Sequence, residues 1–321
     1  DIGNSRVKWS MLDNGGISES QSFQRGKTGI KAALNKAWKS LTDIEAIYVA
    51  NVGGDKLAQQ LSEWTEKHWQ LQPTFVITEQ KRFGVTNAYE EAEKLGIDRW
   101  LSLIAARQHA REAQCIIDCG TAMTIDIVTK TGQHQGGMIL PGLSLMRASL
   151  AANTDALTEE PDEKEFKTLA TNTFSAIEAG TLYCVSATLE RIIADLKQSF
   201  NNKIRFIITG GDAGQLLPLL PDDIHHYPDI VLRGLAFYAR EADKKKRSSK
   251  KSAAPAPEKG TEPVAKQEKS DTPDSESAET DKQAKPKSKT RRPRRKKTTE
   301  PSEDTAAKPE NPDSTLPGEA I

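Results

Sequence analysis

Two short turns carry residue types from which chemistry can be built. The chain opens Asp1-Ile2-Gly3-Asn4-Ser5, and the phrase returns as Asp118-Cys119-Gly120-Thr121, each followed by a largely apolar run. A Gly-containing turn between strands arrays backbone N–H groups in a concave arc that suits phosphate oxygens. A hydroxyl beside it adds a neutral donor, and an Asp at its head can hold a cation that neutralises phosphate charge. One such turn is an ordinary hairpin ornament. Two, each heading a similar segment, suit a cleft that grips a polyphosphate from both sides. Ile207-Ile208-Thr209-Gly210-Gly211-Asp212-Ala213 adds a third piece, in which an apolar strand ending in Gly-Gly lets a flat ring or a phosphate approach the backbone.

Single residues carry two readings each. Asp98 stands before the helical run Arg99–Arg111. It is either an N-cap or a carboxylate placed to take a proton from a reacting hydroxyl. Lys8 is either a charge partner for phosphate or an exposed strand residue. Arg99 in a first helical turn works against the helix dipole, a local misfit that favours a functional role. The five histidines, His68, His109, His134, His225 and His226, show no metal-ligand spacing, and no transition metal is expected.

The elements that must position these residues alternate along the body. Arg6–Leu12 and Ile17–Phe23 read as strands about a turn. Thr28 then caps a helix in which Ile30, Leu34, Ala37, Trp38 and Leu41 keep helical spacing. Strand Ile44–Val52, helix Asp55–Trp69 and strand Phe75–Thr78 complete the first half. The second half restarts with strand Gln114–Ile117, the second turn, strand Thr124–Thr129 and a turn at Lys130-Thr131-Gly132. A long helix from about Thr173 to Phe200, strand Ile204–Thr209, and helices from Ala213 and over Asp229–Arg240 follow. Two matching halves of strands, then alternating helices and strands, make an α/β duplication.

Composition separates this body from the C-terminal quarter of the chain. Residues 241–321 contain no Phe, Trp or Tyr and hold ten of the sixteen prolines. Such a segment cannot bury enough apolar surface to order itself, so disorder is expected there. Residues 1–240 carry 25 Lys/Arg against 29 Asp/Glu, and the tail 20 against 16, so a polyanion partner would belong to the tail. Three cysteines without CxxC spacing suit a reduced, cytoplasmic protein. No apolar run approaches the roughly 18 residues of a membrane span.

Two Asp-X-Gly turns heading duplicated halves, with a late Gly-Gly loop, resemble the actin, sugar-kinase and heat-shock-chaperone superfamily of phosphotransferases. Within it the chain is similar to the type III pantothenate kinases, which open coenzyme A biosynthesis in many bacteria. The likeness is carried by Asp1-Ile2-Gly3-Asn4-Ser5 with Lys8, Leu95-Gly96-Ile97-Asp98-Arg99-Trp100 and Asp118-Cys119-Gly120-Thr121-Ala122-Met123-Thr124. It continues through Gly136-Gly137-Met138-Ile139-Leu140-Pro141-Gly142, Asn172-Thr173 and Thr209-Gly210-Gly211. It spans residues 1–240 and has no counterpart in the tail. Two details depart from the family: Ser5 stands where Thr is common, and no proline flanks Tyr89.

The resemblance implies two ribonuclease-H-like (actin-like ATPase) halves about a central cleft, residues 1–112 and 113–240, followed by the disordered tail 241–321. It implies transfer of the ATP γ-phosphoryl group to the primary hydroxyl of pantothenate, with Asp98 as base. Asp1, Gly3, Asn4, Ser5, Lys8, Gly120, Thr121, Gly210 and Gly211 are expected around ATP. Asp1 is expected to hold Mg2+ directly or through water, and Asp118 a monovalent cation, K+ or NH4+. Tyr89, Gly96, Ile97, Asp98, Arg99 and Thr173 are expected around pantothenate, Thr173 reaching in from the second subunit of a homodimer built on the long helix.

Rival readings remain. Residues 282–297 hold ten Lys/Arg and no acid, which suits sequence-blind polyanion binding and a regulatory or transcription accessory role. A kinase of another acceptor and an inactive relative are the others. By analogy with Ile116-Ile117, an apolar strand is expected to lead into Asp1, so the first half reads as truncated at its start.

Overall fold

The computed structural model describes residues 1–14, 16–25, 29–152 and 169–252. The expected cap Thr28, the tail from residue 253 and its basic run lie outside the described residues.

The second half rests on one five-stranded sheet. In space its strands run His134–Pro141, Ala122–Val128, Ala113–Cys119, Ile204–Thr209, Ile224–His226. The first three pair antiparallel through tight turns, and the last two join in parallel. Parallel pairing demands a long crossover, and the helices Leu143–Ala152 and Thr173–Ser199 lie on that route. Alternation then sorts the side chains. Cys115, Ile117, Ile125, Phe206 and Ile208 face one way, onto Leu182, Val185, Leu189 and Ile193 of the long helix. Ile116, Val128 and Ile207 face the other way, in the cluster with Leu101, Ile104, Leu232 and Leu235. His225 and His226 sit exposed on the last strand.

The first half repeats this order with far shorter strands. Gln21–Gln24 pairs antiparallel with Arg6–Trp9, and Tyr48–Val49 pairs parallel with Thr74–Phe75. Ile2 joins the two pieces, bridging antiparallel to Val7 and parallel to Asn51. Its N–H donates to Ala50 O at 2.8 Å and its carbonyl accepts from Val52 N–H at 3.0 Å. The place filled in the second half by Ala113–Cys119 is thus held here by Ile2. The expected strands Ile44–Val52 and Phe75–Thr78 shrink to two residues each. Beside Ile2 lies a cavity of about 820 Å³, lined by Val7, Leu34, Trp38, Val49, Leu61 and Leu235 among others.

The helices follow the sequence closely. Asp55–Trp69 buries Leu57, Leu61 and Trp64, as its stripe requires. Thr173–Ser199 is capped by Asn172, whose side chain accepts the Ser175 N–H at 2.9 Å. The closing helix runs from Ile230 to Ser252, past Arg240 where the body was expected to end. Glu241 explains the extension, since it pairs with Arg82 while Lys245 and Arg247 pair one turn back with Glu241 and Asp243.

Candidate active site

The two Asp-X-Gly turns meet across the cleft. Ser5 Oγ and Thr121 Oγ1 lie 2.7 Å apart, from residues 116 positions apart in the chain. The first turn is closed by the Gly3 N–H donating to Arg6 O at 3.0 Å, leaving Asn4 and Ser5 exposed at its tip. The second turn, Gly120-Thr121, joins the strands Ala113–Cys119 and Ala122–Val128 and accepts the Gly142 N–H on Thr121 O at 3.0 Å.

The Gly-Gly loop is fastened to both. Gly210 has φ +95°, and a Cβ there would lie 2.4 Å from the Cys119 backbone. Only glycine supplies that conformation at that approach. The Asp212 N–H donates to Cys119 O at 3.0 Å. Gly211 lies beneath the Arg6 guanidinium, which would stand 3.0 Å from its Cβ. The phosphate-type turns and the late loop therefore form one continuous floor.

Asp1 is placed by its backbone, which exchanges bonds with Lys8 at 2.9 Å in each direction. Its ammonium is held down to about 5 by burial and by the Lys8 charge. Lys8 itself reaches the turn before the last helix, donating to Pro228 O at 2.6 Å and standing 3.7 Å from Asp229. It still acts on Asp118 as the principal opposing charge.

Asp118 and Asp98 share one field. Burial, with the neighbouring Asp98 charge, pushes the Asp118 carboxyl up to about 7. Among the described residues nothing donates a hydrogen bond to it. A buried carboxylate in that position suits a cation. No group of three or more His, Cys, Asp or Glu side chains among the described residues converges as a ready metal cage. Phosphate or water oxygens must therefore complete any coordination.

Asp98 differs from its sequence reading. Gly96 is the N-cap, Ile97 the first helical residue, and Asp98 lies inside the first turn without capping it. Its Oδ1 accepts the Arg99 N–H at 2.8 Å. Burial raises its pKa, and the negative Asp126 adds to that, against the pull of Arg99. A carboxylate made more basic while still half-buried at a helix start is suited to accept a proton.

Arg99 is pinned beside it. Its Nε and Nη2 donate to Asp126 Oδ2 and Oδ1, each at 2.7 Å, and its Nη1 donates to the Tyr89 hydroxyl at 2.9 Å. His134 Nε2 lies 2.9 Å from the same Asp126 Oδ1. Burial opposes the Asp126 charge, but the bonds from His134 and Arg99 outweigh it and hold its carboxyl below the usual value. The sequence reading missed Asp126 and His134. The available signal was an acid in the middle of the apolar strand Met123-Thr124-Ile125-Asp126-Ile127-Val128, where a charge needs a partner.

Thr173 is not among the residues these bonds bring together. It opens the long helix, exposed, in a hollow of about 800 Å³ lined by that helix and Leu143–Ala152. Cys115 and Cys119 are buried, whereas Cys184 is exposed, and all three are free. No helix of the described residues is long and apolar enough to cross a membrane.

A family model described as type III pantothenate kinase matches residues 1–195. The type III pantothenate kinase of Nitrosococcus oceani is 46% identical over 254 residues, covering 78% of this chain and 96% of its own. That of Alcanivorax borkumensis is 32% identical over 236 residues, covering 73% and 95%. Among solved structures, the activator of the 2-hydroxyisocaproyl-CoA dehydratase from Clostridium difficile with bound ADPNP aligns at TM-score 0.45 and 13% identity, over 77% of this chain and 95% of its own. At that score the likeness carries no argument of its own.

Proposed function

The chain belongs to the type III pantothenate kinase family, and on that premise we propose how its cleft transfers the γ-phosphoryl group of ATP to the primary hydroxyl of pantothenate, the first step of coenzyme A biosynthesis. The observation that carries the assignment of roles is the pairing of a basic, half-buried Asp98 with a pinned Arg99 next to it. Pantothenate bears both a hydroxyl and a carboxylate. Asp98 accepts the hydroxyl proton as the new P–O bond forms, typically a 10²–10⁴-fold effect. Arg99 and Tyr89 hold the acceptor, with Gly96 and Ile97 forming the backbone wall beside them.

On the nucleotide side, Gly3 closes the first turn on Arg6 O, and the backbone of Asn4, Gly120, Gly210 and Gly211 faces the polyphosphate. The Ser5 and Thr121 hydroxyls exchange their mutual bond for phosphate oxygens. Most of the remaining barrier reduction comes from such positioning. A divalent metal, taken as Mg2+ near Asp1, and a monovalent cation, K+ or NH4+, on Asp118 supply charge neutralisation when bound. Lys8 adds positive charge from behind Asp118.

The same reading makes the protein a cytoplasmic homodimer. Leu145 (44% exposed) lines the hollow that holds Thr173, and Tyr183 (64%) stands exposed on the long helix that Thr173 opens. An apolar face of that kind favours association, and a partner's Thr173 then reaches the acceptor pocket. Reduced Cys115, Cys119 and Cys184 fit the compartment. The family match does not favour the regulatory reading. Polyanion binding by residues 282–297 rests on sequence alone, and no retention on a polyanion column at low salt would end it.

The test is ADP release with Mg2+-ATP and pantothenate, in potassium against sodium buffer, for the parent and Asp98→Asn. Pantothenate-dependent turnover that needs potassium and collapses in the variant is the expected result. A folded dimer with no pantothenate-dependent turnover would sink the reading.

A further inference from the structure

Four residues from four separate elements are joined in one buried chain of hydrogen bonds. Tyr89 comes from the loop before the helix Ile97–His109, Arg99 from that helix, Asp126 from Ala122–Val128 and His134 from His134–Pro141. Arg99, Asp126 and His134 are 6%, 3% and 1% exposed. The Ala88 N–H points at His134 Nδ1 at 3.4 Å. That makes Nδ1 the acceptor and leaves Nε2–H to donate to Asp126 Oδ1. Oδ1 therefore takes two donors, His134 and Arg99 Nη2, while Oδ2 takes Arg99 Nε.

We propose that Asp126 and His134 are a positioning pair that fixes the angle of Arg99, and through it Tyr89, for the carboxylate of the acceptor. The inference rests on the pantothenate reading above and adds two residues to it. The guanidinium has five N–H groups, and three are committed to Asp126 and Tyr89. The Nε/Nη2 edge is locked against Asp126, so the remaining N–H groups have a single orientation. His134 completes the lock, because Asp126 without it could rotate about its Cβ and carry Arg99 with it.

Two further observations fit a positioning role. A buried ion pair contributes little net stability compared with apolar packing of the same volume. A pair this buried is accordingly poorly explained as a fastening alone. Moreover, the backbone is shaped to admit it: a Cβ on Gly137 would stand 2.5 Å from Asp126 Oδ1 and 2.7 Å from Arg99 Nη2. Gly137 thus leaves room for these two side chains as well as for the Ile125 carbonyl, which would stand 2.2 Å from the same Cβ.

The experiment compares KM and kcat for parent, His134→Leu, His134→Gln and Asp126→Asn, using pantothenate and its neutral carboxamide as acceptors. With His134→Leu, the KM for pantothenate is expected to rise about tenfold while kcat and the KM for ATP stay within about twofold, the pattern of lost acceptor binding. His134→Gln, whose amide can donate to the same oxygen, should recover most of that loss. With the carboxamide, parent and His134→Leu should be indistinguishable. Asp126→Asn should repeat the pantothenate-selective loss and serves as the readout if His134→Leu does not fold. Equal losses for both acceptors, a parallel loss in ATP KM and kcat, or unfolding of both variants would make the pair a fold element and overturn the proposal. A parent that turns over pantothenate alongside an unchanged His134→Leu overturns the pair alone. A folded parent that ignores pantothenate removes the reading itself, and the pair's role with it.

Discussion

Ser5 Oγ and Thr121 Oγ1 touch at 2.7 Å from turns that head the two halves of the chain. The contact exists because Ile2 and Cys119 occupy equivalent central positions in their sheets, so the turns after them open onto the same cleft. If both hydroxyls then bind the same polyphosphate, they act as one unit. Ser5→Ala and Thr121→Val are each expected to raise the KM for ATP about tenfold, since a hydrogen bond to a charged group is worth roughly 1.5–3 kcal/mol. The double variant should lose less than the product of the two. Strict additivity in a double-mutant cycle would separate the hydroxyls and count against a shared ligand.

Asp98 offers a prediction in both rate and pH. Asp98→Asn keeps the shape and the acceptor for the Arg99 N–H but cannot take a proton, so kcat should fall by about 10²–10⁴-fold with little change in melting temperature. The active form of the parent is the ionised carboxylate. Burial raises the Asp98 pKa, so activity should fall as pH drops through a value above the ordinary aspartate range of ~3.9. A kcat/KM profile whose acid limb sits at the ordinary value, or lies unchanged in the variant, would assign the base elsewhere.

What could be read from the sequence divides along physical lines. Helix Asp55–Trp69 and strand Ile204–Thr209 appear as expected, because local signals decide them: an apolar stripe in one, a short run dominated by Ile, Phe and Thr in the other. Asn172 likewise caps the long helix through its own side chain. The first-half strands were overextended because strand length depends on partners distant in sequence. Arg6–Trp9 stops where Met11 turns its N–H to Ser18 Oγ. Of the two readings open for Asp98, the cap falls because Gly96 takes that place two residues earlier. Asp126 and His134 were overlooked for a related reason. Their significance appears only when three elements bring Arg99 and His134 onto Asp126.

Gly210 gives a test of the floor that joins the three loops. Alanine at φ +95° is costly by about 1–2 kcal/mol in backbone terms alone, and its Cβ would meet the Cys119 backbone. Gly210→Ala should therefore lower the melting temperature and raise the KM for ATP more than that for pantothenate. Gly214, in the short helix Ala213–Leu216, has open space within 4 Å of where a Cβ would stand, and no strained φ. Gly214→Ala should be neutral or slightly stabilising by helix propensity, about 1 kcal/mol at most. Equal effects at the two glycines would deny the loop its special geometry.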